Sequence, residues 1–246
     1  SLYREYSRRV NDIYGQYTDL VESFGIDESW LDITGSMHLF GGDGKTVADR
    51  LRQRLREELG LTISVGVSFN KIFAKLGSDY KKPDATTVIP PDHWQEIVWP
   101  LPAGDLLGVG HSTQTLLRQY GIETIGQLAA FPRHALETLL GKHGAQLHDY
   151  ANGRDSSPVR PQHESEPVKS VGKGITFPRN LTRWEEVRAG LSMLCDSVAG
   201  RLRRQQLYCG GVALTIRDPQ FHQFSHQVRL DAPTHLQRDI YRAALT

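Results

Sequence analysis

The chain has 246 residues, with 29 Lys+Arg against 28 Asp+Glu for a formal charge of +1, and is 39% hydrophobic and 23% charged. That length fits one or two domains, and the composition excludes collagen-like, mucin-like and fully disordered chains. Two cysteines, Cys195 and Cys209, are too few for a disulfide framework and are spaced neither as a CxxC redox pair nor as a zinc knuckle, so a reducing cytoplasm is expected. No apolar run nears the ~18 residues that span a bilayer, and the opening SLYREYSRRV has the pattern of an amphipathic helix rather than a signal peptide. The expectation is a soluble cytoplasmic chain with no membrane partner.

In chain order, Tyr3, Tyr6, Val10, Ile13, Tyr14 and Tyr17 recur at helical spacing and predict a first helix. Residues 20–24 and 30–34 read as short strands around Gly25-Ile26-Asp27-Glu28. Val47, Leu51, Leu55 and Leu59 recur every four residues between arginines, an amphipathic helix that Gly60 closes. Ile63, Val65 and Val67 alternate as a strand, and Ser68 is the expected cap of a helix carrying Ile72, Phe73 and Leu76. A strand around 87–89 follows. Strands interleaved with helices and including a hairpin point to an α+β layer rather than a doubly wound sheet. From Pro91 to Gly153 the pattern is helical, punctuated by Pro100, Pro102, Gly108, Gly110, Gly121 and Gly126.

Residues 154–167 (RDSSPVRPQHESEP) hold three prolines and three serines without apolar periodicity, the composition of an extended linker. Beyond it, strand-like runs at 168–177, 211–217 and 224–230 surround a helix in which Val187, Leu191, Leu194, Val198 and Leu202 share a face, and 235–245 reads as a last helix. Residues 168–246 carry twelve Lys+Arg against six Asp+Glu, a balance of +6, whereas residues 1–167 balance at −5. A basic terminal third suits contact with a polyanion.

The most informative residues are Asp27 and Glu28. Neighbours on a regular strand point to opposite faces, so two adjacent carboxylates converge on one ion only where the backbone turns, as Gly25 permits. Carboxylates at such a turn are hard oxygen ligands of the kind Mg²⁺ takes, with phosphates and water completing its shell; a bare Asp-Glu dipeptide is otherwise an ordinary solvated acidic turn.

The surrounding run, Gly25-Ile-Asp-Glu-Ser-Trp-Leu-Asp32, resembles the S-I-D-E-A-[FY]-L-D motif of Y-family, translesion DNA polymerases. Gly25, Ser29 and Trp30 depart from it without touching a carboxylate. A second block, Val65-Gly-Val-Ser-Phe-Asn-Lys-Ile-Phe-Ala-Lys-Leu-Gly-Ser-Asp-Tyr-Lys-Lys-Pro83, resembles the family's V-G-[IV]-[SA]-x-N-K-x-[FL]-A-K-x-[AG]-S-D-x-x-K-P. The resemblance implies that Asp27 and Glu28 are catalytic residues holding two Mg²⁺ ions and that Lys82 reaches the triphosphate of an incoming dNTP. An ammonium there neutralises a pyrophosphate leaving group. Lys71 and Lys75 read as polar-face helix residues, and Lys81 as solvated.

Leu107-Gly-Val-Gly-His-Ser, followed by a helix with Ser112 as its cap and Gly121 as its stop, has the form of a helix-hairpin-helix. Gly108, Val109 and Gly110 are its candidate DNA contacts, since glycines let backbone amides approach a phosphodiester without reading bases. Lys169, Ser170 and Lys173 lie in Lys169-Ser-Val-Gly-Lys173, similar to the first strand of the family's little finger, and are further DNA-binding candidates. Arg201, Arg203 and Arg204 read as the wet side of the neighbouring helix.

The resemblance implies an α+β chain built from a partial palm at 1–90 with an antiparallel sheet and helices, a small all-helical thumb with a helix-hairpin-helix at 91–154, a linker at 155–167 and an α+β little finger at 168–246. It implies template-directed nucleotidyl transfer in damage bypass, with primer–template DNA and dNTP as partners and a sliding clamp as partner of the full-length protein. Nothing before Asp27 matches the family's D-x-D-x-F-[FY]-A-x-V-E strand, and the fingers, the little finger's last strand and the clamp-binding tail are unmatched. These 246 residues are therefore expected not to extend a primer alone. A non-catalytic DNA-binding relative and a palm-fold nucleotidyl cyclase are the other two classes. Gly41-Gly-Asp-Gly-Lys-Thr46 mimics a P-loop, but Leu39 stands where the pattern needs glycine. The ten histidines show no HExxH spacing.

Overall fold

The computed structural model describes residues 1–162, 164 and 167–246. It comprises two compact units, Ser1–Ser165 and Glu166–Thr246. In the first, α1 (Leu2–Tyr14) packs on α2 (Gly44–Leu59) through Ile13, Tyr17, Val47, Leu51 and Leu55. The apparent P-loop is a cap: the Asp43 carboxylate accepts from the Thr46 amide at 2.9 Å and starts α2. Gly60 ends it.

Strands β1 (Val21–Ser23) and β2 (Ser29–Leu31) form an antiparallel hairpin in which Glu22 lies opposite Trp30. A Phe24 amide to Glu28 carbonyl bond of 2.8 Å closes it. The pair β3 (Val65–Ser68) and β4 (Thr86–Ile89) is parallel, because α3 (Lys71–Tyr80) carries the chain back between them. The expectation of an antiparallel palm sheet thus holds for the hairpin and not for this pair. Helix α3 lies against β3 at Gly66, where an added Cβ would overlap the Ala74 carbonyl and the Ser78 amide. Only glycine admits that approach. Ser68 does not cap α3; its hydroxyl donates to the Ile89 carbonyl, and Asn70 caps the helix by accepting from the Phe73 amide at 2.8 Å. Ser68 is held in the ladder, two residues too early.

Five short helices follow: α4 (Trp94–Val98), α5 (His111–Gln119), α6 (Ile125–Ala130), α7 (Arg133–Leu140) and α8 (Lys142–Ala151). Leu106, Leu117, Ile122, Ile125, Leu128, Leu136 and Leu147 share one core with Phe73 and Ile89. Helix α3 therefore packs its apolar face against these helices while its polar face meets the hairpin.

The second unit holds α9 (Trp184–Arg204), an antiparallel pair of β5 (Cys209–Arg217) and β6 (Gln223–Thr234), and α10 (Gln237–Ala244). Leu191, Cys195, Ala199, Leu202 and Ile240 are its core. Both cysteines are free thiols. The strand expected at 168–177 is absent: that segment carries no regular element. The Gly172 carbonyl is taken by the Arg201 guanidinium, and Gly172 and Gly174 weaken any intrinsic strand preference. No helix among the described residues is long and apolar enough to cross a membrane.

Candidate active site and nucleic-acid interface

The turn after β1 places Gly25 at φ +87°, the conformation that lets the chain reverse over Ile26 and Asp27. Asp27 is exposed and Glu28 half-buried. Glu28 Oε1 lies 3.0 Å from Lys75 Nζ, Lys75 Nζ lies 2.6 Å from Asp79 Oδ2, and Asp79 Oδ1 lies 2.6 Å from Lys82 Nζ. A continuous row of alternating charge thus runs from the acidic turn to the loop lysine. Burial pushes the Asp79 carboxyl up, but hydrogen bonds from Lys75 and Lys82 outweigh it and hold it below the usual carboxylate range. The opposite balance holds Lys75 above its ordinary value: burial lowers it, and Asp79 and Glu28 more than offset that. Burial, and after it the charge of Asp79, pushes the Asp105 carboxyl up.

A second contact anchors the hairpin. Lys71 Nζ lies 2.7 Å from Glu22 Oε2 and 4.5 Å from the Trp30 ring centroid, while the Trp30 indole donates to the Lys71 carbonyl at 2.9 Å. Phe24 packs on Trp30 with centroids 4.7 Å apart. The indole that replaces the motif's Tyr or Phe thus ties β2 to α3. Arg160 reaches the same carboxylate, at 3.1 Å by its side chain and 3.0 Å by its amide. Gln162 donates to the Asn11 carbonyl, so part of the expected linker is docked on this unit. His163, Ser165 and Glu166 of that linker lie outside the described residues.

Asp27 and Glu28 offer hard carboxylate oxygens for a divalent cation, Glu28 sharing its charge with Lys75. Among the described residues no three His, Cys, Asp or Glu gather as a cation site, so the donor set fits a cation in part. Lys71 and Lys75 lie on the polar face of α3 as expected, and there each is paired to a hairpin carboxylate. Their spacing of four, continued by Asp79, put all three on one helical face, a signal readable from sequence; that two hairpin carboxylates would meet that face was not. Arg160 had no local signal.

Gly108 sits at φ +95° with its carbonyl 3.0 Å from His143 Nε2, Val109 is buried, and Gly110 is the N-cap residue of α5 with open space where a Cβ would stand. The cap is therefore Gly110 and not Ser112, which lies one position inside the helix. The first amides of α5 are left without side-chain caps. In the second unit Lys169, Ser170 and Lys173 are exposed on the segment that Arg201 pins through Gly172. Arg201 is a structural contact rather than only a wet-side residue.

Comparison with known proteins agrees with this layout. Residues 1–79 match the impB/mucB/samB family, residues 168–246 its C-terminal domain, and residues 104–155 the thumb domain of DNA polymerase iota. The chain is 46% identical over 244 residues to DNA polymerase IV of Acetivibrio thermocellus, covering 99% of this chain and 61% of that protein. It is 42% identical over 243 residues to DNA polymerase IV of Moorella thermoacetica, covering 99% and 60%. The chain thus spans about three-fifths of the length of these curated relatives. A Y-family DNA polymerase chimera of Dbh and Dpo4 superposes with a TM-score of 0.84 at 23% identity, over 99% of this chain and 69% of that one. An insertion ternary complex of Dbh DNA polymerase superposes at 0.58 and 22% identity, over 99% and 69%. With α+β halves flanking short helices and an acidic hairpin turn, the chain belongs to the impB/mucB/samB family, the Y-family DNA polymerases.

Proposed function

We propose that the chain is part of a template-directed DNA polymerase of the translesion type, taking primer–template DNA and dNTP. Residues 1–90 act as palm, 91–154 as thumb and 168–246 as little finger. The observation that carries the reading is the ion-pair row joining Glu28 to Lys82 through Lys75 and Asp79, which sets the acidic turn and the triphosphate lysine on one surface. Asp27 and Glu28 hold divalent cations at the primer end. Two Mg²⁺ ions, when bound, lower the pKa of the primer 3′-hydroxyl and neutralise charge on the departing pyrophosphate. Lys82 donates to the triphosphate and steadies its charge through transfer. Gly108, Val109 and Gly110 bring the unpaired α5 amides to a duplex phosphate, and Lys169, Ser170 and Lys173 grip the backbone of the same duplex.

Two carboxylates at the turn are fewer than two cations need, so we expect these 246 residues alone to bind primer–template without extending it. The test is primer extension by the longer natural protein, in which Asp27→Asn and Glu28→Gln should each abolish incorporation while leaving DNA binding intact. Unimpaired extension by either variant overturns the assignment. Magnesium-dependent incorporation by the 246 residues alone overturns the expected inactivity. DNA binding that survives with no incorporation by the longer protein favours a non-catalytic relative. Affinity for primer–template that does not fall with salt, by about tenfold or more between 50 and 200 mM, favours a cyclase-like palm.

A further inference from the structure

We propose that Asp79 is a positioning residue that changes its share of partners when a triphosphate arrives, and so couples nucleotide binding to the readiness of Glu28 for a cation. The inference rests on the polymerase reading above. Lys75 has two acceptors, Glu28 at 3.0 Å and Asp79 at 2.6 Å, and Asp79 has two donors, Lys75 and Lys82. Each inner member of the row therefore divides its charge between two neighbours.

A triphosphate that takes Lys82 leaves Asp79 with Lys75 alone. The incoming negative charge also repels the Asp79 carboxylate toward Lys75. Lys75 then gives more of itself to Asp79, an intrahelical i,i+4 partner that α3 keeps in reach whatever the loop does. Glu28 is correspondingly released and turns to the cation at Asp27. Without triphosphate the same row runs the other way: Lys82 draws Asp79, Lys75 leans on Glu28, and the acidic turn is partly neutralised. Lys75 is only 17% exposed, so water replaces little of what it loses.

The experiment uses the full 246-residue chain, with Mn²⁺ as the cation probe read by electron paramagnetic resonance. Inorganic tripolyphosphate is the second probe, titrated calorimetrically with chelator present so that no metal bridges the two sites. Lys75→Met should tighten Mn²⁺ binding by about two- to fivefold, the scale of one partly exposed ion pair. Lys82→Met should tighten Mn²⁺ in the same direction, because it frees Asp79 for Lys75 as a triphosphate would. Asp79→Asn should weaken Mn²⁺ binding and strengthen metal-free tripolyphosphate binding. Those opposite signs are what a merely structural aspartate would not produce. Unchanged Mn²⁺ affinity in Lys75→Met and Asp79→Asn, or both ligands moving together in Asp79→Asn, overturns the coupling. Asp27→Asn separates the two claims: it should abolish Mn²⁺ binding, and if it does not, the cation site at the turn fails with the coupling built on it. Circular dichroism of each variant confirms that the fold is kept.

Discussion

Lys71 Nζ lies 2.7 Å from Glu22 Oε2, both side chains nearly out of solvent, and Arg160 closes on the same carboxylate from 138 residues further along the chain. One acidic side chain in a three-residue strand thereby joins β1, α3 and the segment that leaves the helical region. Removing its charge leaves the Lys71 ammonium without a counter-charge. Glu22→Gln should lower the stability of the first unit by about 2 kcal/mol, the scale of a charged hydrogen bond lost inside a protein. Urea unfolding followed by tryptophan fluorescence checks it. Burial pushes the Glu22 carboxyl up, yet bonds from Lys71 and Arg160 prevail and hold it below its ordinary value. A depressed folded value stabilises above the unfolded value of about 4.3 and is lost as pH falls through the folded one. The variant should therefore differ most from wild type at neutral pH, and the two should converge in acid.

Gly66 should tolerate no side chain. Gly66→Ala drives a methyl into the Ala74 carbonyl and the Ser78 amide, backbone atoms with no rotamer to retreat to. The expected loss is about 3 kcal/mol, at the upper end of overpacking. Gly60→Ala, with open space around it, is the control; its φ of +66° should cost about 1 kcal/mol. Thermal unfolding of both proteins checks the ranking, and equal midpoints would mean that α3 does not lie on β3 as described.

The hairpin before α5 makes a prediction about DNA. In Gly108→Ala the added methyl meets His143 Cε1 at 3.1 Å and Leu147 Cδ2 at 3.3 Å at a φ of +95°, so the backbone must shift. Duplex affinity should fall about tenfold and equally for unrelated sequences, since the contact proposed for this loop is to phosphate. Gly110→Ala has room to fold but puts its methyl where a phosphodiester would approach. Fluorescence anisotropy with two duplexes of different sequence measures both, and a loss confined to one sequence would rule out backbone recognition.

Local chemistry was legible in the chain itself. Helical periodicity located α1, α2 and α9, Gly25 beside Asp27 and Glu28 marked the acidic turn, and the glycines at 108 and 110 marked the hairpin. These depend on neighbours three or four residues apart, which is the range that periodicity and turn chemistry report. Two cap expectations fell on a serine two positions away from the residue that starts the helix. Asn70 rather than Ser68 caps α3, and Gly110 rather than Ser112 begins α5.

Only the tertiary structure decided which distant charges meet. Lys71 and Lys75 differ from solvated lysines solely because packing Phe73 and Leu76 into the helical core turns the opposite face of α3 toward the hairpin and its Glu22 and Glu28. The segment 168–177 reads as a strand-like run, but a strand exists only when a neighbour accepts its hydrogen bonds, and here the Gly172 carbonyl is taken by Arg201. Periodicity is a property of the chain; partnership is a property of the fold.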